Sequence, residues 1–169
     1  MNITIYTDGS CKMSKNFTGG WASIIKYKEK EIVLSGSYRQ TTNNRMELIA
    51  VIKALEYIKK PSNITIITDS LYVVNPVNKG WLLKWEFFNW KRKDGTDTIN
   101  MDLWKRLLNL IRYHNVKFKW IKGHNNHPEN ERCDYLACKE AENLINSTDN
   151  SSYNEIHKDL DSRDFWSES

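Results

Sequence analysis

Ile3-Thr4-Ile5-Tyr6-Thr7-Asp8-Gly9-Ser10 decides how the rest of the chain is read. Its β-branched and polar residues alternate with period two, as in a half-buried strand, and the alternation gives way at Asp8-Gly9-Ser10, where strand propensity ends. Asn63-Ile64-Thr65-Ile66-Ile67-Thr68-Asp69-Ser70 repeats the plan. Two strands therefore each deliver an aspartate at their C-terminal end. Between them, Trp21 to Tyr27 and Glu31 to Tyr38 read as strands around the polar turn Lys28-Glu29-Lys30, after a loop closed by Gly19-Gly20. Strands one to three then form a meander.

Asn43 to Lys60 reads as a helix, with Thr42 or Asn43 as N-cap and Pro61 as its stop. Short helices follow from Ser70 to about Asn75 and from about Gly80 to Phe88, and a longer one from about Asn100 to Tyr113 repeats Leu103, Leu107 and Leu110/Ile111. Val116 to Ile121 is a fifth strand. After the loop Lys122-Gly123-His124-Asn125-Asn126-His127, Pro128 suits the first turn of a last helix running to about Ile145. This order predicts an α/β fold, a five-stranded mixed sheet with helices on both faces. From Asn146 the Ser/Asn/Asp-rich composition reads as a flexible tail.

A length of 169 residues suits one domain, and 40 % hydrophobic with 12 % aromatic residues excludes wholesale disorder. No apolar run approaches the roughly 20 residues that cross a bilayer, and the N-terminus lacks a basic segment followed by an apolar one. Neither a membrane partner nor export is expected. Cys11, Cys133 and Cys138 lack C-x-x-C spacing, which argues against a disulfide framework and for a reducing, cytoplasmic setting. The formal charge is +4, but residues 146–169 carry −4, which leaves +8 on residues 1–145. A basic body with an acidic tail favours a polyanionic partner such as nucleic acid.

Most carboxylates on a folded protein are solvated. Four here are placed otherwise. Stepping from Glu47 by helical intervals reaches Val51, Ala54 and Ile58, and stepping from Asp134 reaches Ala137/Cys138, Ala141 and Ile145, so both acids lie on faces that should be buried. Asp8 and Asp69 close strands that read as central. At an effective dielectric of about 20, two like charges 4 Å apart repel by about 4 kcal/mol, so either the acids stay protonated or a cation joins them. An oxygen-only cluster selects a hard cation, Mg²⁺ above all. Two such ions about 4 Å apart suit metal-assisted cleavage of a phosphodiester.

Thr7-Asp8-Gly9-Ser10-Cys11, Thr41-Thr42-Asn43-Asn44-Arg45-Met46-Glu47-Leu48, Thr68-Asp69-Ser70, and Trp120-Ile121-Lys122-Gly123-His124 with His127-Pro128-Glu129-Asn130-Glu131-Arg132-Cys133-Asp134 stand in this order along residues 1–145. In motifs and spacing the chain resembles ribonuclease H type 1. The resemblance implies a monomeric endonuclease that hydrolyses the RNA strand of RNA–DNA hybrids and leaves a 3′-OH and a 5′-phosphate. It places two Mg²⁺ ions, with Mn²⁺ as a possible substitute, on Asp8, Glu47, Asp69 and Asp134, with Asp8 shared between the ions. It makes His124, on the loop before the last helix, the group that assists proton transfer or product departure; His127, beside Pro128, is left as an ordinary solvated histidine.

Choosing RNA means sensing the 2′-OH in a shallow minor groove, which calls for short donor and acceptor side chains. The resemblance gives this task to Asn43 and Asn44, with Cys11 lining the groove, and a DNA-strand phosphate to Arg39, Thr42 and Asn100. Thr42 and Asn43 also read simply as a helix cap. Residues 79–93 resemble the basic handle of bacterial members: Lys79, Lys84, Lys91, Arg92 and Lys93 are interleaved with Trp81, Trp85 and Trp90. Trp81 and Lys84 are the expected DNA contacts, whereas Trp85 and Trp90 suit packing of the handle.

Two segments depart from the family pattern. The loop Lys12 to Thr18 lacks Gly/Pro character and is one residue longer, so no groove contact is assigned to Asn16 or its neighbours, and Leu71 stands where some members carry glutamine. The main alternative is a non-catalytic module that binds hybrids, which would keep the basic charge and the handle; four intact carboxylate positions and His124 argue against it. Another nuclease on the same fold, such as an exonuclease or resolvase, would also gather acids around metals. A two-carboxylate glycosidase is disfavoured by the basic handle.

Overall fold

The computed structural model describes residues 2–12, 17–146 and 153–156. Eleven elements follow one another: β1 (Asn2–Lys12), β2 (Thr18–Tyr27), β3 (Lys30–Tyr38), α1 (Asn43–Tyr57), β4 (Asn63–Thr68), α2 (Leu71–Asn78), α3 (Trp81–Phe87), α4 (Met101–Tyr113), β5 (Asn115–Trp120), α5 (Pro128–Asn146) and β6 (Tyr153–Ile156). The sheet runs β5-β4-β1-β2-β3-β6. β1, β2 and β3 pair antiparallel as a meander, while β4 joins β1, and β5 joins β4, in parallel. The expected five-stranded mixed sheet is therefore present, extended at the β3 edge by β6 as a sixth strand.

Period-two alternation sorts the two faces. Ile3 and Ile5 of β1 with Trp21 and Ile25 of β2 enter the large core formed with α1 and α4, whereas Ala22 and Ile24 meet Cys133 and Ala137 of α5. β2, covered on both sides, is buried almost throughout. Val51, Ala54 and Ile58, on the Glu47 side of α1, are all buried. Burial of some thirty apolar side chains at roughly 25 cal/mol per Å² is what fixes the helices on the sheet.

Several boundaries differ from the sequence expectation, each for a reason of packing. β1 does not end at Asp8: it pairs with β2 as far as Lys12↔Thr18, so Asp8 lies within the strand, opposite Ala22. Gly19 and Gly20 are strand residues of β2 and close no loop. Both are pressed by neighbours: a Cβ on Gly20 would stand 2.0 Å from the Ala137 carbonyl oxygen, and one on Gly19 2.4 Å from Thr41 Cγ2. α1 ends at Tyr57, three residues before Lys60, where the backbone of Ile58 turns extended and its N–H reaches the Leu55 carbonyl.

The helix from Leu71 continues through Pro76 to Asn78. The tail contributes β6, antiparallel to β3 from Tyr38↔Tyr153 to Ser35↔Ile156. The expectation of a flexible tail otherwise falls on residues outside those described, as does the Asn16 loop. Among the described residues no helix is long and apolar enough to cross a membrane.

Candidate active site

Asp8, Glu47 and Asp69 come from a strand, a helix and a strand end, and one oxygen of each lies within 4.8 Å of the others. The parallel register supplies the first pair. Tyr6 stands opposite Ile67, so two residues further on Asp8 and Asp69 emerge side by side. Gly9 supplies the third, because a Cβ there would stand 2.3 Å from the Glu47 nitrogen and 2.4 Å from the Met46 carbonyl carbon. Absence of a side chain on β1 is thus what lets α1 close until Glu47 reaches Asp8.

The electrostatics are those of acids buried side by side. Burial is the largest influence on Asp8, which is 4 % exposed; against the Glu47 hydrogen bond, and with the charges of Asp69 and Asp134, it raises the carboxyl to about 7. Glu47 is held well above the usual carboxylate range, again first by burial and then by Asp8. Asp69 is raised by burial, opposed by a hydrogen bond from Asn130 and the nearby charge of His124, and reinforced by Asp134. Glu47 Oε2 is buried without a hydrogen-bond partner. A buried, unpartnered carboxylate oxygen on a residue clustered with two other acids fits a hard divalent cation.

Asp134, on α5, stands outside the tightest group, yet its charge reaches both Asp8 and Asp69. His124 is exposed on the loop before α5, in the left-handed region with φ 54°. Its neighbour Gly123 lies so close that a Cβ would stand 2.6 Å from Asp69 Oδ2. His127 acts as ordinary structure: its carbonyl accepts the Glu131 N–H at the start of α5.

Cys11 and Asn43 meet, the Cys11 N–H donating to Asn43 Oδ1, while Asn44 is exposed beside them. Thr42 Oγ1 accepts the Arg45 N–H and so caps α1. Asn100 is drawn inward: its Oδ1 accepts from Arg45, 3.2 Å away, and its Nδ2 donates to the Tyr72 hydroxyl at 2.9 Å. Arg45 also grips Asp102 with both guanidinium nitrogens, at 3.0 and 2.8 Å. Arg39 is half-buried just after β3.

A cleft of about 780 Å³ runs along the handle, walled by Trp81, Trp85, Phe88 and Ile99 and rimmed by Lys84, Lys91, Arg92 and Lys93. Trp81 is 42 % exposed, Trp90 is buried, and Trp85 stacks edge-on to Trp104 with ring centroids 5.4 Å apart. The handle is less uniformly basic than its lysines suggest, since Leu83, Phe87 and Phe88 are exposed on it.

The description "RNase H" belongs to the family model that matches residues 1–142. The chain belongs to the RNase H family. It is similar to the Ribonuclease H of Desulforamulus reducens, with 50 % identity over 139 residues, 82 % of this chain and 87 % of that protein. The Ribonuclease H of Nitratidesulfovibrio vulgaris is 48 % identical over 140 residues, 83 % of this chain and 89 % of its own. Among solved structures, LC9-RNase H1, described as a type 1 RNase H with the type 2 active-site motif, superposes with a TM-score of 0.77 at 25 % identity. That match covers 97 % of this chain and 80 % of the other.

The RNase H assignment made from the four motifs is thus confirmed. Two residues of the site escaped the sequence reading. Asn130 is 3 % exposed and bonds Asp69; its spacing of four residues from Asp134 on one helix was the available signal. Arg45 joins the ends of α1 and α4 through Asp102, a pairing across 57 residues that no local pattern announces.

Proposed function

We propose that this RNase H is an endonuclease that hydrolyses the RNA strand of RNA–DNA hybrids with the help of two Mg²⁺ ions, leaving a 3′-OH and a 5′-phosphate. The observation that carries the proposal is the convergence of Asp8, Glu47 and Asp69 in a chain of this family. Asp8, Glu47, Asp69 and Asp134 would hold the cations. Divalent ions, when bound, offset the charge that builds on the phosphate during in-line attack by water.

The chain's own groups do the rest. His124, exposed on a Gly/Asn loop near Asp69, assists proton transfer or the departure of the product. Asn43, Asn44 and Cys11 read the 2′-OH edge of the RNA strand, and Arg39, Thr42 and Asn100 hold a phosphate of the DNA strand at the start of α1. Trp81 and Lys84 guide the duplex along the handle cleft. The free thiols Cys11, Cys133 and Cys138 suit a reducing cytoplasm, and the enzyme works as a monomer.

The test follows end-labelled RNA annealed to a DNA circle, with duplex RNA, duplex DNA and single strands as controls, for the native protein and Asp69→Asn, with and without Mg²⁺. Internal cuts confined to the hybrid RNA, dependent on Mg²⁺ and lost in Asp69→Asn, are the expected result. Tight binding of hybrid with no cleavage in Mg²⁺ or Mn²⁺ would instead make the protein a binding module.

A further inference from the structure

The first turns of α5 are tied to the sheet by alternating charges. Lys26 Nζ on β2 donates to Glu129 Oε1 at 2.7 Å and lies 3.8 Å from Glu31 Oε2. Glu31, its cross-strand partner on β3, in turn receives Arg132. Glu129, Lys26, Glu31 and Arg132 thus form one chain of acid, base, acid and base across two strands and a helix.

Each of these side chains keeps between 27 % and 50 % of its surface exposed. Exposed pairs of this kind contribute too little each to decide whether the domain folds. What such contacts can fix is a direction. Asn130 sits in the same turn, between Glu129 and Arg132, and unlike them it is buried, with its amide hydrogen-bonded to the Asp69 carboxylate. A small roll of α5 about its axis would carry that amide off Asp69. The ion pairs on the adjoining side oppose such a roll.

We propose that Asn130 is a positioning residue that orients the Asp69 carboxylate for metal binding, and that the Glu129–Lys26–Glu31–Arg132 chain holds Asn130 in place. The inference rests on the reading of Asp69 as a metal ligand. Hydrogen bonds from a neighbouring group to a metal-ligating carboxylate fix its orientation and commonly contribute about tenfold or more in metal affinity.

The experiment is a calorimetric titration of Mn²⁺ into the substrate-free full-length chain, alongside its thermal melt. The variants are Asn130→Ala, Asn130→Ser, Lys26→Met, Lys26→Arg, Glu129→Gln and Asp69→Asn. Asn130→Ala is expected to weaken Mn²⁺ binding about tenfold, and Lys26→Met and Glu129→Gln by a smaller factor, about threefold. Lys26→Arg keeps the native affinity, and the ion-pair variants melt within about 3 °C of the native protein. Should Asn130→Ala fold poorly, Asn130→Ser carries the comparison, because a single small polar side chain leaves the packing closer to native.

Native affinity in the Asn130 variants overturns the positioning role. Lowered melting with native affinity in Lys26→Met and Glu129→Gln makes the ion chain purely structural and overturns the second half. Asp69→Asn separates this inference from the metal reading itself: unchanged binding there defeats the metal site, whereas lost binding there with native binding in Asn130→Ala defeats only the positioning role.

Discussion

Asp8 on β1 and Glu47 on α1 bring their carboxyl groups together in one hydrogen bond, and burial, with the other acids beside them, holds both above the usual carboxylate range. Two buried carboxyl groups this close are stable together only while a proton or a cation sits between them.

A cation must displace that proton, so divalent-ion affinity rises with pH through about 7, the value to which Asp8 is pushed. Without a cation, the folded chain binds more protons at Asp8 than the unfolded chain between about 4 and 7, so this group lowers stability as pH climbs through that window. Asp8→Asn removes the effect. At pH 8 the metal-free variant should be more stable than the native protein by on the order of 2 kcal/mol, a few degrees in Tm. Mg²⁺ should stabilise the native protein alone. Denaturation of both proteins at pH 4.5 and pH 8 in a chelator measures it; a gap that does not grow with pH contradicts it.

His114 gives a pH effect of opposite sign. Its Nδ1 accepts the Ser62 N–H at 3.2 Å, its Nε2 lies 3.3 Å from the Leu55 carbonyl, and burial pushes the ring's pKa down. A protonated ring could not accept from Ser62. The folded state therefore resists protonation that the unfolded chain accepts near 6.5, and this contribution to stability, complete above that pH, is lost as pH falls toward the folded value. His114→Gln should cost about 1–3 kcal/mol at pH 8, and the deficit should shrink at pH 5. Urea melts of the two proteins across that range decide it.

Gly9→Ala tests how α1 is seated. With a Cβ 2.3 Å from the Glu47 nitrogen, backbone atoms must move, and overpacking of this kind typically costs about 1–3 kcal/mol. Glu47 moves with them. Mn²⁺ binding should therefore weaken in the folded variant at a temperature well below its melting point. Native affinity alongside a reduced Tm would show that the helix shifts without taking Glu47 from Asp8.

The handle separates packing from binding. Trp90 is 6 % exposed with Lys105 over its ring, so Trp90→Ala should destabilise by about 3–5 kcal/mol. Trp81→Ala and Lys84→Ala should leave Tm nearly unchanged and raise the KM for hybrid while kcat holds. Loss of Lys84 should also reduce the salt slope of hybrid binding by about 1. A fall in kcat at saturating hybrid would instead connect the handle to the chemistry.

Much of the site could be read in the sequence because it rests on local periodicity. Glu47 declared itself by the apolar residues that follow it at helical spacing, and Asp69 by the β-branched run that ends there. Thr42 was legible as a cap for the same reason. The misread boundaries lie where a distant partner overrides local propensity: Asp8-Gly9-Ser10 looks like a strand end until β2 offers hydrogen bonds as far as Lys12. Gly19-Gly20 looks like a turn until α5 and Thr41 are seen pressing on it.

The sequence by itself determined the order of strands and helices, the acids that face inward, and through its four motifs the RNase H family, because period-two and helical patterns and short motifs are properties of neighbouring residues. Only the tertiary structure decided that Asp8, Glu47 and Asp69 stand closest while Asp134 acts across a wider gap, that Asn130 bonds Asp69, and that Arg45 is held by Asp102. Those relations depend on strand register, on a helix approaching a glycine, and on how a helix is rolled against a sheet. Each is set by contacts between residues tens of positions apart, for which the chain carries no local mark.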